Sequence, residues 1–244
     1  MKEKNLELSR RGFLAGAAAV LSMPRFLRAA DPCTLMPEAD EGPYYIDFEK
    51  VRRDITEGRP GVPVQLRIVL LDAKGCAPIE NAALDIWHCD ASGVYSGFTA
   101  AGGGEPSGRG RGGPGGRGGR GGRGATDETR FLRGVQMTNK QGVAEFLTVY
   151  PGWYAGRTIH IHLKAHVGGH VSHTGQLYFP EDVTEQIAKM EPYANHSNVH
   201  RTLQREDHIF TQQGGAQSMM KLERLQKGSN SGGFVASLAV AINS

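Results

Sequence analysis

The chain has 244 residues, of which 39% are hydrophobic and 22% charged, a length that fits one domain with appendages. This hydrophobic share supports a sizeable core and excludes a chain that is disordered throughout. The formal net charge is +3, but residues 1–30 and 102–124 contribute +4 each, which leaves 17 basic and 22 acidic residues elsewhere. The remaining body is therefore mildly acidic, which argues against a folded body that binds nucleic acid.

Residues 1–30 read as a twin-arginine-type export signal. The pair Arg10-Arg11 precedes an apolar run that begins at Phe13. This run is too short to span a bilayer and fits the apolar region of a signal peptide. A short amphipathic anchor helix is the alternative. Cleavage near 29–31 would leave a mature chain without a membrane span, and we expect export to the periplasm or the extracellular space.

Three cysteines follow the signal, at positions 33, 76 and 89. None belongs to a Cys-x-x-Cys pair, which argues against a cysteine-based zinc site. An exported chain can hold one disulfide and one remaining thiol, and the sequence leaves the pairing open. Cys89 follows a predicted strand and is compatible with a buried thiol.

Five segments show the alternation of apolar and polar residues that is typical of β-strands. They cover residues 62–71, 82–87, 143–149, 158–167 and 175–179. Turn signals separate them, at 72–75, 139–142 and 168–169. Short strands separated by turns predict an all-β fold, either a β-sandwich or a barrel.

The rest of the chain is predicted to be less regular. One short helix is expected from about Glu181 to Met190, with acidic residues in its first turn. Beyond Tyr193 we expect irregular structure apart from an apolar run at 234–242. Residues 102–124 hold 14 of the 34 glycines and cannot bury a core. Their Arg-Gly-Gly repeats would suit RNA binding in an independent tail. Inside an exported globular chain they favour a solvated loop insertion, which costs little loop entropy.

The strongest local signal for chemistry is His160-Ile161-His162 on a predicted strand. Side chains at i and i+2 point to the same face of a strand, so two imidazoles can meet one metal while Ile161 points into the core. A pair of solvent-facing histidines is the alternative. Four further histidines are interpreted as surface or supporting groups: His88, His166, His170 and His173.

Two tyrosines extend this signal. A Pro-Gly turn at 151–152 presents Trp153, Tyr154 and Arg157 beside the histidine strand, and Tyr95 follows another strand. A phenol becomes a useful metal ligand only when it is ionised, which requires a strong Lewis acid. Hard phenolate oxygen favours ferric iron. Two imidazoles and two phenolates on iron(III) would leave one net positive charge, which attracts an anionic oxygen ligand such as a catecholate.

Four motifs in this order resemble the intradiol ring-cleavage dioxygenases, non-haem iron(III) enzymes that include catechol and protocatechuate dioxygenases. The motifs are Glu-Gly-Pro-Tyr-Tyr at 41–45, Asp-Ile-Trp-His-Cys-Asp-Ala at 85–91, Gly-Val-Tyr-Ser-Gly at 93–97, and Pro-Gly-Trp-Tyr-x-Gly-Arg-x-x-His-Ile-His at 151–162. The similarity extends to the region of Gln176 and covers most of the mature chain. It is closest to the exported, single-domain branch of the family.

This resemblance implies a β-sandwich with one non-haem iron(III) per chain at one edge. The implied metal ligands are Tyr95, Tyr154, His160 and His162. Arg157 is implied to stabilise negative charge that develops on the substrate, and Tyr154 to accept a substrate proton on leaving the metal. Gln176 is implied to lie near the substrate, and the pocket is expected to be walled by Tyr44, Tyr45 and Trp153.

The implied reaction cleaves a catechol-type ring with dioxygen between the two hydroxylated carbons and yields a cis,cis-muconate-type diacid. Two alternatives use the same residues. A zinc hydrolase or hydratase built on His-x-His needs a further His or acid and leaves the tyrosines without a role. A non-catalytic sandwich that binds aromatic or sugar ligands is the other. The expected partners are the substrate and dioxygen, with no nucleic acid. The oligomeric state is open, and a homo-oligomer is compatible with the sequence.

Overall fold

The computed structural model describes residues 33–47, 50–99, 125–225 and 232–244. The predicted export signal at 1–30 and the insertion at 102–124 lie outside these ranges. The strands are β1 (Pro63–Asp72), β2 (Ala83–Trp87), β3 (Arg133–Met137), β4 (Val143–Val149), β5 (His160–Val167), β6 (His170–Tyr178), β7 (Lys221–Arg224) and β8 (Phe234–Ile242). The α-helices are α1 (Glu181–Ile187) and α2 (His208–Gln212), and short 3₁₀ helices span Tyr193–His196, Gln204–Glu206 and Gly215–Ser218. Within the described ranges, the helices are too short to traverse a lipid bilayer.

The strands form two four-stranded sheets, in the orders β4-β1-β8-β7 and β3-β2-β5-β6. The pairing between β1 and β8 is parallel, and the other strand pairs are antiparallel. The side chains between the sheets form one apolar core to which both sheets contribute. The predicted all-β sandwich is confirmed.

Strand β5 shows how the fold positions the polar residues of interest. Its side chains alternate, so that Ile161, Leu163 and Ala165 join the apolar core. The alternate residues, beginning with His160 and His162, face the outside of their sheet. His160, His162 and Lys164 are nevertheless buried, and residues 41–45 cross over this outer face, with Gly42 against His162 and Glu41 and Tyr45 in contact with Lys164.

Four of the five predicted strands form with shifts of at most two residues at their ends, β6 begins five residues before the predicted start at 175, and 234–242 forms β8. The predicted helix ends at Ile187 rather than Met190. After Ile187 the α-helical hydrogen bonds give way to a tighter turn, in which Met190 N donates to Ile187 O, three residues back. Pro192 also disfavours helical backbone at the residue before it. Strands β3 and β7 and helix α2 were not predicted. The tail is thus more regular than expected.

The structure settles the cysteine pairing that the sequence left open. Cys33 and Cys76 form a disulfide with Cα atoms 5.2 Å apart. Cys89 is a free, buried cysteine, and burial raises the pKa of its thiol. Cys89 therefore stays protonated and packs as a small apolar side chain.

Candidate metal centre

The four side chains predicted to bind metal converge on one buried point at the outer face of the second sheet. Nε2 of His160 lies 3.1 Å from Nε2 of His162. The hydroxyl oxygens of Tyr154 and Tyr95 lie 3.3 Å and 3.5 Å from the same His160 atom. Tyr95 and both histidines are at most 2% exposed, while Tyr154 is partly buried. Water has little access to this point.

Two tight turns bring the tyrosines to the histidine strand. After β2, the Asp90 carboxylate accepts hydrogen bonds from the backbone N–H groups of Ser92 and Val94, which folds the chain back and places Tyr95 against the sheet. Gly93 has a φ of +77°, and a Cβ at this position would lie 2.2 Å from the carbonyl oxygen of Trp153. A glycine is therefore required where this turn packs on the turn that carries Tyr154.

The histidines are held as neutral nitrogen donors. Nδ1 of His160 donates to the carbonyl oxygen of Thr158 at 2.6 Å, so its Nε2 carries the lone pair. The His162 ring stacks on Trp87 with ring centroids 4.8 Å apart and planes 4° apart. Burial, with the nearby charge of Arg157, holds the pKa of both imidazoles well below the usual range. The two Nε2 atoms lie 3.1 Å apart, close enough to bind one cation when both carry lone pairs.

The phenols lack a charge partner strong enough to ionise them. Burial raises the pKa of Tyr95 and of Tyr154, although the Arg157 guanidinium opposes this shift at both residues. Only a strong Lewis acid would convert them to phenolates at neutral pH. Ligand atoms about 2.1 Å from one ion lie roughly 3.0–3.4 Å apart for angles of roughly 90–109°, which agrees with the separation of the two imidazole nitrogens. The donor set fits a hard, highly charged ion such as iron(III).

The donor set fits zinc less well. A catalytic zinc site needs three protein ligands drawn from His, Cys, Asp and Glu. In the described ranges, no group of three or more such side chains could hold a metal ion. The two histidines are joined by tyrosines instead, which gives no support to the zinc alternative.

Arg157 lies beside the donors in a network of hydrogen bonds. Its Nε donates to Oδ2 of Asp207 at 3.0 Å, and its Nη2 donates to Oε1 of Gln176. The same Gln176 oxygen accepts from the Tyr178 hydroxyl at 2.9 Å, and its Nε2 donates to the Asp40 carbonyl oxygen at 2.7 Å. Burial alone would lower the pKa of Arg157, but Tyr154 and Asp207 hold this pKa above its ordinary value. Arg157 is a fixed cation.

The structure separates the predicted substrate contacts into two groups. Tyr44 stacks on Tyr95 with centroids 4.5 Å apart, and Gln176 lies beside Arg157, so both are near the four donors. Tyr45 packs on Trp87 and lies under the Lys164 ammonium, 3.4 Å from its ring centroid.

Trp153 has a supporting position as well. Its Nε1 donates to the Val199 carbonyl oxygen at 2.9 Å, and its ring packs on His196. Trp153 and Tyr45 thus contact residues that surround the four proposed ligands. Their roles as pocket walls stay predictions.

Sequence reasoning missed three residues in this network, and two of them carry a recognisable signal. Tyr178 lies two positions after Gln176, on the same face of β6. Asp207 directly precedes α2 and caps it, which is a common helix-start signal. Trp87 was seen only as part of a motif, and nothing in its local sequence indicates that it stacks on His162.

Comparisons with known proteins identify the family of this chain. The family model Dioxygenase_C, described as "Dioxygenase", matches residues 40–212. An intradiol ring-cleavage dioxygenase from Tetranychus urticae is 36% identical, with 86% of this chain and 95% of that chain covered and a TM-score of 0.74. The dioxygenase domain of a dioxygenase and carbohydrate-binding protein fusion from Streptomyces sp. SirexAA-E is 25% identical, with 85% and 100% covered and a TM-score of 0.54.

More distant structures share the fold. Catechol 1,2-dioxygenase from Pseudomonas arvilla C-1 is 17% identical, with 85% of this chain and 62% of that chain covered and a TM-score of 0.57. A search of curated proteins gave no significant match.

The family match covers more than half of the chain and defines a dioxygenase. The chain belongs to the intradiol ring-cleavage dioxygenases and is an oxidoreductase. The predicted family and enzyme class are confirmed. Members of this family generally use non-haem iron(III), which the four donors fit.

Proposed function

We propose that this protein cleaves a catechol-type ring with dioxygen between the two hydroxylated carbons and releases a cis,cis-muconate-type diacid. One observation carries the proposal: Tyr95, Tyr154, His160 and His162 meet at one buried point beside the cationic Arg157. These four residues would hold one non-haem iron(III) per chain. When bound, the iron supplies Lewis acidity that favours loss of the catechol protons and draws electron density from the ring.

Tyr154 is suited to accept a proton from the substrate at its hydroxyl oxygen. Burial raises the pKa of this phenol, so a Tyr154 phenolate is a strong base in this environment. Tyr95 is fully buried, whereas Tyr154 is partly buried and has more room to move. Tyr95 and the two histidines would then stay in place while Tyr154 takes the proton.

Arg157 is suited to stabilise negative charge that develops on the ring. Its guanidinium is tied to both Asp207 and Gln176, and only 12% of its side chain is exposed. A fixed cation in a site with little water stabilises charge more strongly than a solvated one and needs no reorganisation during the reaction. Gln176 and Tyr44 complete the surroundings, with Tyr44 as an aromatic wall over Tyr95.

The visible spectrum of the aerobically purified protein, recorded before and after catechol is added, tests the proposal. Phenolate-to-iron(III) charge transfer should colour the protein, and catechol should move the band to longer wavelength. Tyr154→Phe should weaken the band and lower turnover. Tyr150→Phe is the matched control, since its buried hydroxyl contacts Thr184 Oγ1 at 2.6 Å on another side of the core.

The result that defeats the proposal is a protein that stays colourless after reconstitution with iron(III). Metal analysis that finds zinc in stoichiometric amount would point to the hydrolase alternative instead. If colour appears, turnover under labelled dioxygen should place both oxygen atoms in the diacid product.

We further propose that the protein is exported through its twin-arginine-type signal. Residues 1–30 support this, and so does the disulfide between Cys33 and Cys76, because disulfides persist in oxidising compartments outside the cytosol. Changing both Arg10 and Arg11 to Lys should leave the protein in the cytoplasmic fraction of cells. Equal export of this variant and the parent would refute the proposal.

A further inference from the structure

We infer that Asp207 is a positioning residue that holds the Arg157 guanidinium in its working orientation. The inference rests on the proposed function, in which Arg157 stabilises negative charge on the substrate. Asp207 lies fifty residues away in the sequence and is 0% exposed. No described contact joins it directly to the four proposed metal ligands. Asp207 accepts from Arg157 Nε–H, and it is linked to His160 only through Thr158, whose backbone N–H donates to Asp207 and whose carbonyl oxygen accepts from His160 Nδ1.

The two carboxylate oxygens of Asp207 have separate partners. Oδ1 accepts from the backbone N–H groups of Ile209 and Phe210, at 2.9 Å and 3.3 Å, and so caps α2. Oδ2 accepts from Nε of Arg157 at 3.0 Å and from the backbone N–H of Thr158 at 2.9 Å. One oxygen therefore serves the helix, and the other holds the arginine and the backbone next to it.

The second attachment of Arg157 depends on the other end of the same helix. Arg157 Nη2 donates to Gln176, whose Nε2 donates to the carbonyl oxygen of Asp40. The backbone N–H of Asp40 donates to Oε1 of Gln213, which directly follows α2. A planar guanidinium that is held at two of its nitrogens has a fixed plane. Helix α2 thus supports Arg157 directly at one end and through Gln176 at the other.

Only a carboxylate meets both demands at position 207. In Asp207→Asn, the amide oxygen can still cap α2, but the amide NH₂ then faces two other donors, Nε–H of Arg157 and N–H of Thr158. The variant also removes the negative charge that balances a buried guanidinium. In Asp207→Ser, the hydroxyl keeps the cap and leaves Arg157 without its partner.

The test combines kinetics with a double-mutant cycle. Asp207→Asn should lower kcat/KM for catechol about 100-fold, the scale of a small misplacement of a catalytic group. Iron content and the charge-transfer band should stay close to those of the parent. In the Arg157→Gln background, the same change should cost about threefold or less, because its target is already absent. Glu206→Gln is the control, since this exposed neighbour is not in contact with Arg157.

A readout that needs no turnover follows the Arg157 Nε–H directly. The measurement is NMR of the whole protein loaded with the diamagnetic ion Ga(III). The ¹⁵N–¹H signal of the Arg157 Nε–H is assigned as the one that disappears in Arg157→Gln. It should be protected from exchange in the parent and lose protection in Asp207→Asn and Asp207→Ser. If the parent never turns over catechol, the proposed function fails, while this signal still decides whether Asp207 holds Arg157.

Two results would overturn the inference. The first is an equal loss of activity from Asp207→Asn in the parent and Arg157→Gln backgrounds, which would mean a general structural role. The second is an Nε–H signal that stays protected without the carboxylate. If Asp207→Asn fails to fold, Asp207→Ser serves for both measurements, and failure of both variants to fold would assign Asp207 to the fold alone.

Discussion

Replacing Gly42 by Ala should disturb both the fold and the metal centre. Gly42 has a φ of +75°, a left-handed conformation that costs an L-residue about 1–2 kcal/mol. The added Cβ would also lie 3.1 Å from Cε1 of His162. That ring is stacked on Trp87 and has no room to retreat, so overpacking should add about 1–3 kcal/mol.

Gly58→Ala provides the matched control. Gly58 has a φ of +73°, and a Cβ there would meet nothing within 4 Å. Urea unfolding of the iron-free chain should therefore show a loss of about 1–2 kcal/mol for Gly58→Ala and a larger loss for Gly42→Ala. Titration with iron(III) should show weaker binding for Gly42→Ala alone, because the added methyl crowds the His162 ring. Equal stability losses with equal iron binding would refute the argument that Gly42 keeps space for His162.

Three further changes have defined outcomes. Replacing Cys33 and Cys76 by Ser removes a cross-link between residues 43 apart in sequence. The free energy of unfolding should fall by about 4 kcal/mol and Tm by roughly 8–16 °C. An unchanged melting curve would contradict this. Burial lowers the pKa of His88 to about 4, so the unfolded chain binds more protons than the folded one below about pH 6.5. His88 should contribute a loss of stability of up to about 3 kcal/mol as pH drops from about 6.5 to 4, and His88→Gln should remove this part of the pH dependence in denaturant titrations. Tyr44→Ala should raise KM for catechol by about tenfold with little change in the charge-transfer band, and an unchanged KM would remove Tyr44 from the pocket wall.

The sandwich was predictable because its central strands carry a clear alternation. In β1 the buried side chains alternate with exposed ones along most of the strand, and the predicted and observed ends differ by one residue. Strand β7 could not be found in this way, since Lys-Leu-Glu-Arg has no buried residue. Strand β3 begins with Arg133 and Gly134, and both are buried only because distant segments cover them.

The candidate site was predictable where its residues lie close together in the sequence. It was unpredictable where it depends on contacts between distant segments. The motif at 151–162 places Tyr154, His160 and His162 within a few residues of one another, so strand geometry suffices to bring them together. The pairing of Arg157 with Asp207 depends on the path of the chain between β6 and α2, which no local pattern determines. For the same reason, the contacts of Tyr45 with Lys164 and of Trp153 with Val199 could not be foreseen from the sequence.

The central position of β8 has a consequence for how the molecule is made. This strand lies between β1 and β7 and pairs in parallel with β1, from which it is separated by most of the chain. A nascent chain therefore cannot complete its first sheet until residue 242 has emerged from the ribosome. Until then β1 presents an open edge, and such edges recruit strands from other chains. The interval before β8 docks is therefore when this protein most needs protection from aggregation.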